Sequence, residues 1–317
     1  MKISILDRLT LGEDLDLSKA SRYGEVICHD ATSPQEVAEH IGDADVVFVN
    51  KVKLNESNLS TATNLKLICE AATGYDNIDL EYCRKRNIAV CNVPGYSVYS
   101  VAQVTVSMVL YLVNHLKEYM GYTSDGSYSK GGCANILTPV YHELLGKTWG
   151  IVGYGGIGSR VGEIAKALGC NVLAYKRTPI EGVNCTDIDT LIENSDIITI
   201  HIPLSDKTEN LINEERISKM KKNAIVVNTA RGLVTDEIAL CKALKDGRIA
   251  GLGSDVYSKE PFDEESPFFD IKDYPNVCLT PHMAWGSIEA RERCFTEMLL
   301  NMEAYFGGKE RNRVDLL

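Results

Sequence analysis

Short unbroken apolar runs alternate along this chain with longer stretches at helical spacing. Residues 2–7 and 46–50 are apolar and read as buried strands, with a helical segment near 33–41 between them. Runs at 65–70 and 88–91 repeat the pattern on either side of a helical stretch over 80–86. Strands separated by helices in this way predict an α/β half with a parallel sheet. Residues 100–116 then form a long, mostly apolar helix, and 122–133, rich in Gly, Ser and Tyr, read as a loop. Alternation resumes with runs at 148–152, 170–175, 196–202, 224–228, 250–254 and 276–280, which predict a six-strand doubly wound domain. The closing stretch 288–306 is amphipathic and helical, and is placed to pack back on the first half.

The sharpest local signal lies at the start of the second alternating region. The apolar run 148–152 leads into Gly153-Tyr154-Gly155-Gly156-Ile157-Gly158, and apolar residues at Val161, Ile164, Ala165 and Leu168 follow at helical spacing. Strand, glycine turn and helix in that order form a dinucleotide site. Gly153 permits the tight turn, Gly155 lets backbone approach a diphosphate, and Gly158 lets the helix pack close to the strand. The diphosphate would lie against free N–H groups at a helix N-terminus. About 150 residues precede the motif, enough for a domain of their own.

Composition narrows the picture modestly. A length of 317 residues suits two domains, and 44% hydrophobic with 24% charged residues is ordinary for a water-soluble globular protein. No apolar run approaches the ~20 residues of a membrane span. Ten cysteines are scattered through apolar segments with no C-x-x-C pair, which suits buried thiols in a reducing cytoplasm and gives no metal-ligand pattern. The net charge of −11 disfavours nucleic acid as a partner.

The cofactor's second phosphate is decided at the end of the run 170–175. An NAD site places an acid there to accept from the ribose 2′-OH, whereas this chain has Lys176-Arg177-Thr178. Two cations and a hydroxyl suit a 2′-phosphate. The alternative is a solvated basic loop on an NADH site without the acidic clamp. NADP(H) is favoured over NAD(H).

Three later strand ends carry reactive side chains: Asn228-Thr229-Ala230-Arg231, Asp255 through Glu260-Pro261, and Pro281-His282-Met283-Ala284-Trp285. Ligands of open α/β sheets bind beyond the carboxyl ends of the strands, so these turns can converge. An Arg, a Glu and a His together suit a 2-keto acid. Arg231 can bind the carboxylate and polarise the carbonyl, and His282 can give the carbonyl oxygen a proton as hydride arrives. Glu260 can hold the other imidazole nitrogen and favour the protonated ring. Each residue alone has an ordinary structural explanation; as a set on consecutive strand ends they point to catalysis.

With these motifs, and with His201-Ile-Pro203-Leu, the chain resembles the D-isomer specific 2-hydroxyacid dehydrogenases over nearly its whole length. Asn50-Lys51-Val52, Ala72-Thr73-Gly74-Tyr-Asp, Asn92-Val-Pro-Gly-Tyr and His282-Met-Ala-Trp285 resemble the glycerate dehydrogenase, or hydroxypyruvate reductase, branch most. The resemblance implies an α/β fold of two Rossmann-like domains. A flavodoxin-like substrate domain would span 1–99 plus 286–317, with a doubly wound NAD(P)-binding domain over 100–285 inserted in it. It further implies cofactor contacts at the glycine turn from Gly153 to Gly158, at His201, Pro203, Thr208, Thr229 and Ala230, and at Asp255 and Ala284. Substrate contacts would come from Lys51, Thr73, Gly74, Arg231, His282 and Trp285. A homodimer formed largely through the nucleotide domains is implied as well. Readings that stay open are a larger branched or aromatic keto acid, and a nucleotide-sensing binding protein without catalysis.

Overall fold

The computed structural model describes residues 1–178 and 180–317. In chain order, the first stretch contains β1 (Lys2–Ile5), β2 (Glu25–Cys28), α1 (Val37–Ile41), β3 (Val46–Val49), α2 (Glu56–Leu59), β4 (Leu67–Glu70), α3 (Leu80–Arg86) and β5 (Ala89–Cys91). There follow α4 (Val98–Val113), α5 (Leu116–Ser124), α6 (Ser127–Lys130), β6 (Thr148–Val152), α7 (Gly156–Ala167), β7 (Asn171–Tyr175) and α8 (Ile188–Asn194). The chain then forms β8 (Ile197–Ile200), α9 (Glu214–Lys219), β9 (Ile225–Asn228), α10 (Glu237–Lys245), β10 (Gly251–Ser254), β11 (Val277–Leu279) and α11 (Ile288–Phe306). Two compact units result, Met1–Ser97 with Gly286–Leu317, and Val98–Trp285.

The first unit is a five-stranded parallel sheet in the order β2-β1-β3-β4-β5, the flavodoxin-like arrangement. Its strands β3 and β4, and the edge strand β5 beside them, are buried on both faces, as expected where helices cover a parallel sheet. α11 returns to this unit and packs on β4, burying Cys294, Phe295, Met298 and Met302. The edge strand β2 has no counterpart in the sequence reading. Its Glu25, Ile27 and Cys28 are exposed, so it lacks the apolar run that marks a buried strand.

The second unit is a six-stranded parallel sheet in the order β11-β10-β9-β8-β6-β7. Among the described residues, the outermost strand of the usual doubly wound order is represented by a bridge between Ala174 and Cys185. The strand order reverses between β6 and β8, which run parallel, so the crevice for a ligand opens beyond Val152 and Ile200. α4 and α7 cover one face, with Trp149, Ile151 and Val161 in its core. α8 to α10 enclose the other around Ile198, Val226 and Leu252. The stretch 122–133, read from sequence as a loop, is corrected by the end of α5 and by α6. Neither helix buries a residue, so no apolar stripe exists there for periodicity to report.

Candidate active site

The glycine turn has the geometry its spacing asks for. Gly153 sits at φ +96°, and a Cβ there would lie 2.7 Å from the Ile202 nitrogen and 2.8 Å from the His201 carbonyl carbon. A Cβ at Gly158 would overlap the Gly153 carbonyl oxygen, so this glycine sets the helix-to-strand approach. At Gly155 a Cβ would meet nothing within 4 Å. That residue is the N-cap of α7 and supplies no side-chain cap, leaving first-turn N–H groups facing open space. A cradle of this shape, open where Gly155 lies, fits a dinucleotide diphosphate. Tyr154 contributes backbone only, because its phenol packs beneath α7 against Gly162.

Neighbouring strand ends extend the cradle. Gly153 N donates to Tyr175 O at 3.0 Å, which brings Lys176, Arg177 and Thr178 directly after the strand beside the turn. On the other side His201 N donates to Val152 O at 2.7 Å. The His201 Nε2 is enclosed and has no hydrogen-bond partner among the described residues. Burial lowers this imidazole to about 3, so the ring is neutral. Its Nδ1 lies 3.5 Å from the Thr229 hydroxyl, which also pairs with Thr105 at 2.9 Å. Thr208 closes its own turn, bonding Pro203 O at 2.7 Å and receiving Ser205 N at 2.8 Å.

Beyond β9, β10 and β11 the reactive residues gather. Asn228 braces the first turn, accepting from Ala230 N at 3.0 Å and donating to Arg231 O at 2.9 Å. Glu260 divides its carboxylate: Oε1 accepts from Tyr257 N at 3.0 Å, and Oε2 lies 2.6 Å from His282 Nδ1. His282 adopts φ +53°, a conformation L residues avoid. Asp255 holds it there, accepting from the Thr280 hydroxyl at 2.5 Å and from Met283 N and Ala284 N, each at 2.9 Å. Burial raises the Asp255 carboxyl above the usual carboxylate range, opposed by those donors. Ala284 O in turn accepts from the Ser100 hydroxyl at 2.6 Å, tying the His282 turn to α4.

The sequence model described as "D-isomer specific 2-hydroxyacid dehydrogenase, NAD binding domain" matches residues 106–284. A glycerate dehydrogenase of Methylorubrum extorquens is 35% identical over 316 residues, covering 99% of both chains. The chain belongs to the D-isomer specific 2-hydroxyacid dehydrogenase family. A hydroxypyruvate reductase of Blautia hydrogenotrophica is likewise 35% identical to this dehydrogenase, over 99% of its length and 100% of the relative's. Among solved structures, an acyclic imino acid reductase in complex with NADPH and D-Arg superposes with a TM-score of 0.87 at 30% identity. That match covers 99% of this dehydrogenase and 100% of the other chain.

In the first unit of the dehydrogenase, Lys51 lies in a loop pinned by a buried carboxylate that the sequence reading passed over. Asp7 accepts from the backbone nitrogens of Asn50, Lys51 and Val52 at 3.1, 2.6 and 3.2 Å. Asn77 donates to Val52 O at 3.1 Å and to buried Glu70 at 3.0 Å. An acid closing an apolar strand was the only trace of this in the sequence. Thr73 spends its hydroxyl on Val93 O at 2.9 Å, and its carbonyl accepts from Asn92 at 2.7 Å, which fixes the turn before Gly74. In the second unit Trp285 is half-buried at its last residue. No helix is long and apolar enough to cross a membrane, and no cluster of metal-ligating side chains occurs among the described residues.

Proposed function

We propose that this dehydrogenase reduces a small 2-keto acid to its D-2-hydroxy acid, with hydroxypyruvate and glyoxylate favoured, His282 as proton donor and NADP(H) preferred. The observation that carries the reading is the 2.6 Å pairing of His282 Nδ1 with Glu260. An ionised carboxylate only accepts, so Nδ1 carries a proton and Nε2 is left to face the substrate oxygen. Arg231 binds the substrate carboxylate and draws charge toward the carbonyl oxygen. The glycine turn would hold a nicotinamide dinucleotide, which would supply hydride chemistry. As charge grows on the oxygen, His282 gives up its Nε2 proton; in the reverse direction the neutral ring takes it back. Glu260 keeps the Nδ1 proton throughout and orients the ring.

Lys176 and Arg177 beside the Gly153 turn support the 2′-phosphate, and Thr178 would add a hydroxyl. His201, Pro203, Thr208, Thr229, Ala230 and Ala284 would line the remaining cofactor surface, with Asp255 at its nicotinamide end. Lys51, Thr73, Gly74 and Trp285 complete the proposed substrate contacts. Strongly exposed apolar side chains at Met120, Leu137, Val140, Tyr141 and Leu145 support a homodimer through the nucleotide unit, since such patches mark interaction sites. The ten free thiols suit a reducing cytoplasm.

Initial rates with hydroxypyruvate, glyoxylate and 2-ketoisocaproate, each with NADPH and NADH, test the reading. Preference for hydroxypyruvate or glyoxylate with NADPH is the expected outcome. Faster turnover of 2-ketoisocaproate would reassign the substrate. NADH rates equal to NADPH rates would make Lys176-Arg177-Thr178 a solvated surface turn. Cofactor binding without turnover of any keto acid would favour a sensor.

A further inference from the structure

Glu237 is the first residue of α10, only 7% exposed, and no step proposed above uses it. Both of its oxygens are committed to one residue: Oε1 accepts from Ser258 N at 2.7 Å and Oε2 from the Ser258 hydroxyl at 2.6 Å. Ser258 follows Tyr257, whose N–H holds Glu260 at 3.0 Å and whose hydroxyl donates to Thr280 O at 2.9 Å. Tyr257 is itself wedged between Phe262 and Phe268, with ring centroids 4.7 and 5.2 Å away. Tyr257 thus touches the turns of both Glu260 and His282, and Glu237 grips the residue next to it.

The grip also joins two strand-end loops. Glu237 belongs to the loop-to-helix segment that begins at Arg231. A Cβ added at Gly232 would overlap the backbone of Tyr257 and Ser258. Backbone therefore rests on backbone just after Arg231, and five residues beyond Gly232 the Glu237 carboxylate clamps Ser258. Burying a carboxylate for two hydrogen bonds carries a desolvation cost. Burial pushes its carboxyl up, opposed by Ser258, with Glu260 pushing in the same direction as burial. A hydroxyl or amide would close an ordinary surface loop more cheaply, so the arrangement is one in which position matters.

We infer that Glu237, through Ser258, is a positioning residue that sets the spacing between Arg231 and the Glu260–His282 pair. The inference rests on the roles proposed for those three residues. Arg231 holds the substrate by its carboxylate, and Glu237 fixes how far from it the imidazole stands. Loosening the clamp leaves substrate and cofactor binding in place while the proton donor drifts from the carbonyl oxygen.

The experiment is steady-state kinetics on full-length Glu237→Ala, Glu237→Gln and Ser258→Ala, with NADPH affinity and Tm measured on each and His282→Ala alongside. Misplacing a reacting group by ~1 Å costs on the order of 10²-fold, so Glu237→Ala is expected to lose about 100-fold in kcat. KM for the keto acid and the NADPH Kd should change less than about threefold, since uniform binding is untouched. Glu237→Gln keeps an acceptor for Ser258 N and offers a donor to its hydroxyl, and should recover kcat to within about fivefold of wild type. Ser258→Ala removes one of the two bonds without emptying the buried site, and should fall between them. If Glu237→Ala fails to fold, the kcat-only loss in Ser258→Ala decides. Unchanged kcat in Ser258→Ala would then overturn the inference, as would a loss that merely tracks the folded fraction or appears in KM alone. If His282→Ala keeps turnover, the proposed chemistry falls and this inference with it. If His282→Ala is dead and the Glu237 and Ser258 variants are normal, only the positioning role falls.

Discussion

Replacing each glycine of the turn separately should divide folding from cofactor binding. At Gly155 the backbone has φ −91°, which alanine adopts without strain, and the added methyl meets no protein atom within 4 Å. Gly155→Ala should therefore change stability by no more than about 1 kcal/mol, and in the stabilising direction if at all, because alanine narrows the unfolded ensemble. The same methyl occupies the space where a diphosphate would approach backbone N–H groups. Losing one hydrogen bond to a charged group costs about 1.5–3 kcal/mol, or roughly 10- to 150-fold in Kd. Gly153→Ala differs in kind. Its φ of +96° costs about 1–2 kcal/mol for an L side chain, and its Cβ would press on backbone atoms of His201 and Ile202 at 2.7–2.8 Å. Overpacking against atoms that cannot rotate away adds about 1–3 kcal/mol, so the total is about 2–5 kcal/mol. For a domain of 150–250 residues that is a fall in Tm of roughly 4–20 °C. Thermal unfolding and NADPH titration by fluorescence on both variants provide the assay. Wild-type NADPH affinity in Gly155→Ala would refute the seat proposed for the diphosphate, and a wild-type Tm in Gly153→Ala would refute the contact reasoning.

The other expectations concern charge and proton transfer. His282→Ala should cut kcat by about 10²–10⁴-fold with NADPH affinity preserved; an unchanged rate would remove His282 from catalysis. Arg231→Lys should raise the keto-acid KM, because an ammonium cannot reproduce a planar two-point contact with a carboxylate; a flat KM would place the substrate carboxylate elsewhere. Arg177→Ala should weaken NADPH by about tenfold and leave NADH alone, and equal effects on both would refute a 2′-phosphate contact. The half-buried His201, its Nε2 shielded, resists protonation until about pH 3, whereas the unfolded chain takes up that proton near the ordinary histidine value of about 6.5. Below that value the unfolded state binds the extra proton, so stability should fall as pH drops from 6.5 toward 3. His201→Gln should flatten this loss in urea denaturation at pH 7 and pH 5, and an identical slope would show the imidazole to be accessible.

Where one physical rule governs a segment, residue pattern and structure agree closely. The six runs of the second sheet differ from β6 to β11 by a residue or two at the ends, and the stretches 80–86 and 288–306 coincide with α3 and α11. Burial on both faces makes such strands unbroken apolar runs, and one buried face makes α11 amphipathic. Where burial fails, the pattern falls silent. β2 has three exposed residues in four, and α5 and α6 bury none, so neither period survives there.

The candidate site divides in the same way. Glycine spacing is local chemistry, since a tight turn, a close approach and a helix packed on a strand each need a missing Cβ within a few residues. Arg231, Glu260 and His282 were legible as candidates because each lies in the loop that follows a strand whose end could be located. Their mutual arrangement was not. The 2.6 Å pairing of His282 with Glu260, the Asp255 brace around a left-handed His282 and the grip of Glu237 on Ser258 join residues 21 to 29 positions apart. Asp7 reaches 43 to 45 positions to hold the Lys51 loop. Such bonds depend on which strands become neighbours and in what register, and a residue's own flanking sequence carries no record of either. Identity and periodicity along the chain decided the elements and the reactive residue types; the order β9-β10-β11 decided which of those residues touch.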